Sequence, residues 1–172
     1  MNDPPSKMEL QRLQALRGSG LLRSPPLPEL DELCQRARRH FDVAMALVTL
    51  IEEDRQVVMA KAGTALDQSP RSVAFCDYTI RTDEVLVVPD ATIDPRFASN
   101  PLVQGEPFIR FYAGAPLIYV GGVRLGAFCI LDTKPRQFSR VDVEDLVMSA
   151  EQVVGRILEH EFDAKFGSRP SG

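Results

Sequence analysis

Histidine is nearly missing from this chain. The two that occur, His40 and His160, both fall at helix ends, so a Cys-His or Ser-His nucleophilic pair is hard to assemble. Cysteine is scarce as well: three residues, an odd number with no CxxC spacing, fit reduced thiols rather than a disulfide framework. No run approaches the ~20 apolar residues of a membrane span, and the opening MNDPPSKMELQ has no apolar signal-peptide core. The chain is therefore expected in the cytoplasm. A basic excess is missing too. The 20 Lys and Arg against 24 Asp and Glu leave a formal charge of -4, which argues against the concentrated basic face that follows a nucleic-acid backbone. The one basic cluster, Arg36, Arg38, Arg39 and His40, closes a helix and complements its dipole. The acidic run Glu52, Glu53, Asp54 is read as a turn and not as a metal site, because consecutive side chains diverge. No metal or cofactor is expected, and neither nucleic acid nor a membrane is expected as a partner.

What the sequence does hold is a stretch from Arg110 to Asp132, RFYAGAPLIYVGGVRLGAFCILD, around which the rest is organised. Two runs of β-branched, aromatic and aliphatic residues, Phe111 to Val120 and Val123 to Leu131, flank Gly121-Gly122, and glycine supplies the positive φ of a tight hairpin turn. Tyr112, Gly114, Pro116 and Ile118 share one face of the first strand, and Phe111, Ala113, Ala115 and Leu117 the other. Gly114 has no side chain and Pro116 no N–H, so this strand is predicted to bend or bulge and to leave backbone beside an opening.

The flanking chain supplies the layers. With 172 residues it is sized for one domain with a real core. Ser6 and Glu9 read as a capping box before Leu10, Leu13 and Leu16, giving an N-terminal helical arm within residues 1–24. Pro28 suits the first turn of a second helix, with Leu30, Leu33, Cys34, Ala37 and Phe41 on its buried face. The apolar run Val43 to Ile51 predicts a strand covered on both faces, returning as Gln56 to Lys61. Gly63 to Pro70 reads as a polar connection, Ser72 to Ile80 as a short helix capped by Ser72, and Val85 to Val88 as a short strand. Ser139 caps a long helix whose apolar stripe runs through Val143, Val147, Ala150, Val154 and Ile157. Residues 163–172 read as a flexible tail with no output domain.

IRFYAGAPL followed by GVRLGAFCILD, preceded by RSVAFCDYTI and VVPDATIDPRFASNPLV and followed by PRQFSRVDVEDL, resembles the GAF family of small-molecule sensor domains. The likeness runs from about Leu27 to His160 and is strongest to the bacterial branch found beside histidine kinases and diguanylate cyclases. It implies an α+β fold and a single domain over residues 25–162. A PAS-like central antiparallel sheet of five to six strands would carry the N- and C-terminal helices on one face and a short helix and lid loop on the other. The resemblance also implies a ligand pocket lined by the Ser72–Ile80 helix and covered by the loop from Asp90 to Glu106, with Phe97, Leu102 and Val103 beneath. Candidate ligand-binding residues are Phe75, Cys76, Tyr78, Asp90, Arg96, Phe97, Arg110 and Tyr112. Aromatics would form the walls, and arginine favours an anionic or carbonyl-bearing ligand. Arg110 equally reads as an ion-pair partner of Asp90 or Asp132. Some members attach a bilin through a pocket cysteine followed by histidine; here Asp77 follows Cys76, and no chromophore is expected.

Two functions fit this outline. The preferred one is a non-enzymatic sensor or regulatory module of bacterial signal transduction. It would bind an unidentified small molecule, a nucleotide or organic anion, and work as a homodimer. Its terminal helices would report to a separate signalling protein such as a kinase or cyclase. The alternative is an enzyme, since one GAF branch reduces free methionine sulfoxide with pocket cysteines. Sulfoxide reduction needs an attacking thiolate and a thiol to resolve it, and the loop from Asp90 to Arg110 contains no cysteine.

Overall fold

The structure is a computed structural model and describes residues 5–167. Its centre is β1 (Met45–Ile51), buried along its whole length. Ala46, Val48 and Leu50 enter one core and Met45, Leu47 and Ile51 a second, which is why the strand reads as a continuous apolar run. β1 pairs antiparallel with β2 (Arg55–Ala62) and with β6 (Arg124–Asp132). Outside β6 lie β5 (Phe111–Ile118) and β4 (Leu86–Val88), and outside β2 lies β3 (Gln68–Pro70), giving the order β3-β2-β1-β6-β5-β4. The end of the expected polar connection is therefore an edge strand. Its residues are mostly exposed and carry no hydrophobic alternation to signal it.

Gly121 and Gly122 turn the β5–β6 hairpin with φ of 78° and 77°, a region that residues with a Cβ seldom adopt. The turn is a 3-10 segment, Val120–Gly122, so β5 stops two residues short of its apolar run and β6 starts one residue later than its own. A register shift between Pro116 and Ile118 is the bulge that a proline in a paired strand requires.

Three helices serve the first core: α1 (Lys7–Ser19), α2 (Pro28–Phe41) and α5 (Arg140–Phe166). α2 buries Leu30, Leu33, Cys34, Ala37 and Phe41, the face expected from their spacing. Truncating fully buried Leu30 to alanine would cost about 2–5 kcal/mol. In α5 the buried residues are Leu146, Ala150, Val153 and Ile157, whereas Val147 is 36% exposed. The inward stripe is thus rotated from the expected one, and Leu146 and Val153 occupy its centre. Ser139 and Asp142 complete the capping box at its start. The helix continues through Phe166, so residues 163–166, expected in a flexible tail, are helical, and residues 168–172 of that expectation lie outside the described residues.

At α1 the expected capping box is half made. Ser6 Oγ accepts from Glu9 N at 3.1 Å, but the Glu9 carboxylate turns away to Arg12 Nε and Nη2, at 2.8 and 2.9 Å, and to Arg71 Nη1, at 2.7 Å. Arg12 is only 5% exposed and donates from Nη1 to the Ile51 carbonyl at 2.7 Å. A buried guanidinium with those partners fixes α1 against the ends of β1 and β6.

The opposite face of the sheet carries short segments. The predicted Ser72–Ile80 helix is broken into a 3-10 turn, Arg71–Val73, and a one-turn helix α3 (Cys76–Thr79), with Ala74 extended between them. Asn100 explains the break: its Nδ2 takes the Val73 carbonyl at 3.1 Å, an acceptor a continuous helix would use internally. Asn100 Oδ1 also caps α4 (Pro101–Gln104) by accepting from Leu102 N at 2.8 Å.

Candidate functional site

The second core lies where the resemblance places a ligand pocket. Tyr112 and Gly114 are two residues apart on β5 and share a face, so the phenol can lie along the strand only if Gly114 has no side chain. An alanine Cβ there would stand 2.1 Å from Tyr112 Oη. The hydroxyl reaches Thr79 Oγ1 at 2.7 Å and Cys76 Sγ at 3.2 Å, and Cys76 Sγ lies 3.7 Å from Cys129 Sγ. Around this polar knot Phe75 stacks on Phe97 with ring centroids 4.2 Å apart and meets Tyr112 at 5.2 Å, while Tyr78 sets its edge on Phe97 at 4.9 Å. Exposures of 3% for Phe75, 2% for Cys76, 1% for Phe97 and 0% for Tyr112 show that rings and thiols fill this space.

The electrostatics are those of a closed interior. Burial pushes the Tyr112 phenol well above its usual range, and the neighbouring thiols push the same way. The Cys129 thiol is raised by its hydrogen bond to Cys76 and by burial. Burial also opposes ionisation of Cys76, but contacts from Cys129, Thr49 and Tyr112 offset it and leave Cys76 the more acidic of the pair. Among the described residues no group of histidine, cysteine and carboxylate side chains is arranged to hold a metal ion, and no helix is long and apolar enough to cross a membrane.

Of the eight candidate residues, the structure brings together Phe75, Cys76, Tyr78, Phe97 and Tyr112. Asp90 and Arg110 are employed elsewhere, and Arg96 touches the cluster only through Phe97, its guanidinium carbon 5.3 Å from that ring's centroid. Asp90 caps the Ala91–Ile93 turn, accepting from Thr92 N at 3.0 Å and Thr92 Oγ1 at 2.6 Å, and those bonds lower its pKa. Arg96 grips Asp94 through Nε and Nη2 at 3.0 and 2.7 Å on the exposed side of the loop. Arg110 makes neither expected ion pair; its Nη1 donates to the carbonyls of Val103 and Ile109 at 3.0 and 3.1 Å. The corner from Gly105 to Phe108 brings the end of α4 over that guanidinium, so peptide oxygens take the place of a carboxylate. Phe97 and Val103 are buried beneath the loop, with Leu102 partly buried.

Sequence reasoning missed Thr79 and Asn100; it allows Cys76 and Cys129 alone among the cysteines to approach the pocket, but does not pair them. Cys129 was within reach: counting back from a turn at Gly121-Gly122 puts it opposite Gly114 on the same face, as the register shows. Thr79 and Asn100 carry no such signal, because their partners come from distant segments.

Comparison with known proteins agrees with this architecture. The GAF domain family matches residues 26–157. A cyclic di-GMP phosphodiesterase of Pseudomonas aeruginosa is 42% identical over 139 residues, covering 80% of this chain, and the chain spans only 24% of that relative's length. Among solved structures, the GAF domain of a phosphoenolpyruvate-protein phosphotransferase from Coxiella burnetii superposes with a TM-score of 0.66 at 17% identity, covering 93% of this chain and 99% of that one. A free methionine-R-sulfoxide reductase from Neisseria meningitidis, solved with its substrate, superposes with a TM-score of 0.60 at 19% identity and 95% coverage of both chains. At such identities the two structures establish the fold alone. The expectation of a chain outside enzyme classes is corrected by the Pseudomonas relative, a named phosphodiesterase, although the matched part is about a quarter of that protein. Family match, sheet order and layering agree: the chain belongs to the GAF domain family.

Proposed function

We propose that this domain is a regulatory sensor unit of cyclic di-GMP signalling, coupled to phosphodiesterase activity of the kind its Pseudomonas relative is named for. The observation that carries this reading is the 42% identity over 139 residues, which reaches across 80% of the chain. Geometry supports a transmitting role for α5. After Ile157 no residue of the helix is buried, and Leu158, Phe162 and Phe166 are 38%, 57% and 72% exposed. We assign that segment to a helix-to-helix contact in a homodimer, through which a change in the domain reaches the catalytic part. The input belongs to the second core, where Phe97 is the seal between loop and sheet; a small molecule entering there must displace its ring. Three buried, unpaired thiols support a reducing cytoplasmic setting.

The test is a graft. The matched portion of the Pseudomonas enzyme is replaced by this chain and hydrolysis of cyclic di-GMP is followed, with a deletion of that portion as reference. Activity of the graft should differ from the deletion and change again with Phe162→Glu, and sedimentation of the isolated chain should give a mass near two copies. A graft indistinguishable from the deletion refutes the regulatory reading.

A further inference from the structure

A recess rich in charged side chains lies away from the second core. A cavity of about 540 Å³ opens between the first turn of α1, the segment from Arg71 to Arg81 and the Gly121-Gly122 turn. Four guanidiniums line it, those of Arg12, Arg71, Arg81 and Arg124, against two carboxylates, Glu9 and Asp77. Most of their donors are engaged. Arg12 is used by Glu9 and Ile51, and Arg124 donates to the Ile80 carbonyl at 2.6 Å, to the Arg81 carbonyl at 3.2 Å and to exposed Asp83 at 2.7 Å. Arg71 gives Nε to Asp77 at 2.8 Å and Nη1 to Glu9 at 2.7 Å.

The surplus is concentrated on one edge. Among the described residues, Nη2 of Arg71 and both Nε and Nη1 of Arg81 have no hydrogen-bond partner. Arg81 is nevertheless held in place: Nη2 reaches Asp77 at 3.2 Å, and its guanidinium carbon stands 4.0 Å from the centroid of the Tyr78 ring. A fixed guanidinium plane with open donors beside a second open donor is geometry that suits the oxygens of a phosphate. Even with Asp83 counted, the guanidiniums outnumber the carboxylates. The 13-residue α1 also points its positive end into the recess, and the glycine turn gives a wall with no side chains to keep a ligand off.

We infer that this recess is an anion site for a phosphate monoester, such as the terminal phosphate of a nucleotide. Arg81 and Arg71 would supply the contacts, and the first turn of α1 one wall. The inference does not depend on attachment to a phosphodiesterase, nor on any ligand in the second core. Its consequence is that occupancy ties α1 more firmly to the domain, because the ligand touches both.

The probes are guanosine 5′-monophosphate, inorganic phosphate and cyclic di-GMP, titrated into the full chain and followed by amide chemical shifts. The monophosphate should bind saturably with shifts at Gly121 and Gly122, phosphate should displace it, and hydrogen exchange in α1 should slow. Cyclic di-GMP, whose phosphates are diesters, should bind at least tenfold more weakly. Arg81→Gln should weaken monophosphate binding at least tenfold, and Arg140→Gln, a 93% exposed side chain on α5, should leave it unchanged. Should Arg81→Gln fold poorly, Arg81→Lys keeps the charge without the fork and should still weaken binding severalfold. Absence of saturable shifts, equal affinity in the Arg81 variants, failure of phosphate to compete, or cyclic di-GMP binding as tightly as the monophosphate would each overturn the assignment.

Discussion

Replacing Gly114 with alanine probes the packing of the second core at its tightest point. The added methyl would lie 2.1 Å from Tyr112 Oη, 2.7 Å from Tyr112 Cζ and 2.9 Å from Thr79 Oγ1. The backbone has little room to yield, since Gly114 is paired with Leu86 of β4 on one side and Cys129 of β6 on the other. The tyrosine ring must therefore move. Overfilling a packed core costs about 1–3 kcal/mol, and pulling the phenol from Thr79 removes a buried hydrogen bond worth about 1 kcal/mol. The expected loss is about 2–4 kcal/mol, which for a chain of this size lowers Tm by roughly 5–15 °C. Urea denaturation followed by circular dichroism measures it. Tyr112→Phe deletes the closest atom, so the double variant should lose less than the sum of the two single losses, by about 1–2 kcal/mol. Additive losses, or an alanine that costs nothing, would show that the ring does not lie over Gly114.

Three further outcomes follow from the same geometry. Burial raises the pKa of the Glu9 carboxyl, but Arg12 and Arg71 outweigh it and hold the group at about 2 against an ordinary 4.5. The folded value is the depressed one, so this stabilisation is complete above pH 4.5 and is lost as pH falls from 4.5 towards 2. Glu9 is partly exposed, and screening limits the effect to about 1–2 kcal/mol; Glu9→Gln should flatten denaturation midpoints across that window. Cys34, Cys76 and Cys129 are 0%, 2% and 1% exposed, so iodoacetamide should label none of them in the native protein and all three in denaturant; fast native labelling of Cys76 would reopen thiol chemistry at this site. Phe97→Ala should cost about 3–5 kcal/mol by emptying the space beneath the loop, and a calorimetric loss under 1 kcal/mol would mean that the ring seals nothing.

The fold was legible wherever one face of an element had to be apolar. α2 shows this best: its spacing picks out Leu30, Leu33, Cys34, Ala37 and Phe41, and those five are its buried residues. The alternation in β5 sorts Phe111, Ala113, Ala115 and Leu117 into one core and Tyr112 into the other. Legibility failed where polar atoms from distant segments decide the outcome. β3 is held by backbone pairing at a solvent edge, and the break between Val73 and Cys76 follows from a carbonyl diverted to Asn100, 27 residues away. Neither leaves a mark in hydrophobic periodicity, because a hydrogen bond across that distance depends on tertiary packing and not on neighbouring residues.

The candidate site divides along the same line. The aromatics Phe75, Phe97 and Tyr112 converge as the resemblance implies, but Arg110 does not join them and Arg96 meets only Phe97, with its guanidinium partly exposed, and the reason is the energetics of burial. A guanidinium under the loop would need a carboxylate or several carbonyls to offset its lost hydration. Each arginine finds such partners nearer the surface, Arg96 at Asp94 and Arg110 at the carbonyls of Val103 and Ile109. Arg12 shows the complementary case. It lies one turn before buried Leu16 in α1, and its guanidinium can be buried because the Ile51 carbonyl and the Glu9 carboxylate accept its donors at the end of the sheet. A sequence displays which residues bring charge; which of those charges is buried depends on acceptors that only the assembled sheet brings into reach.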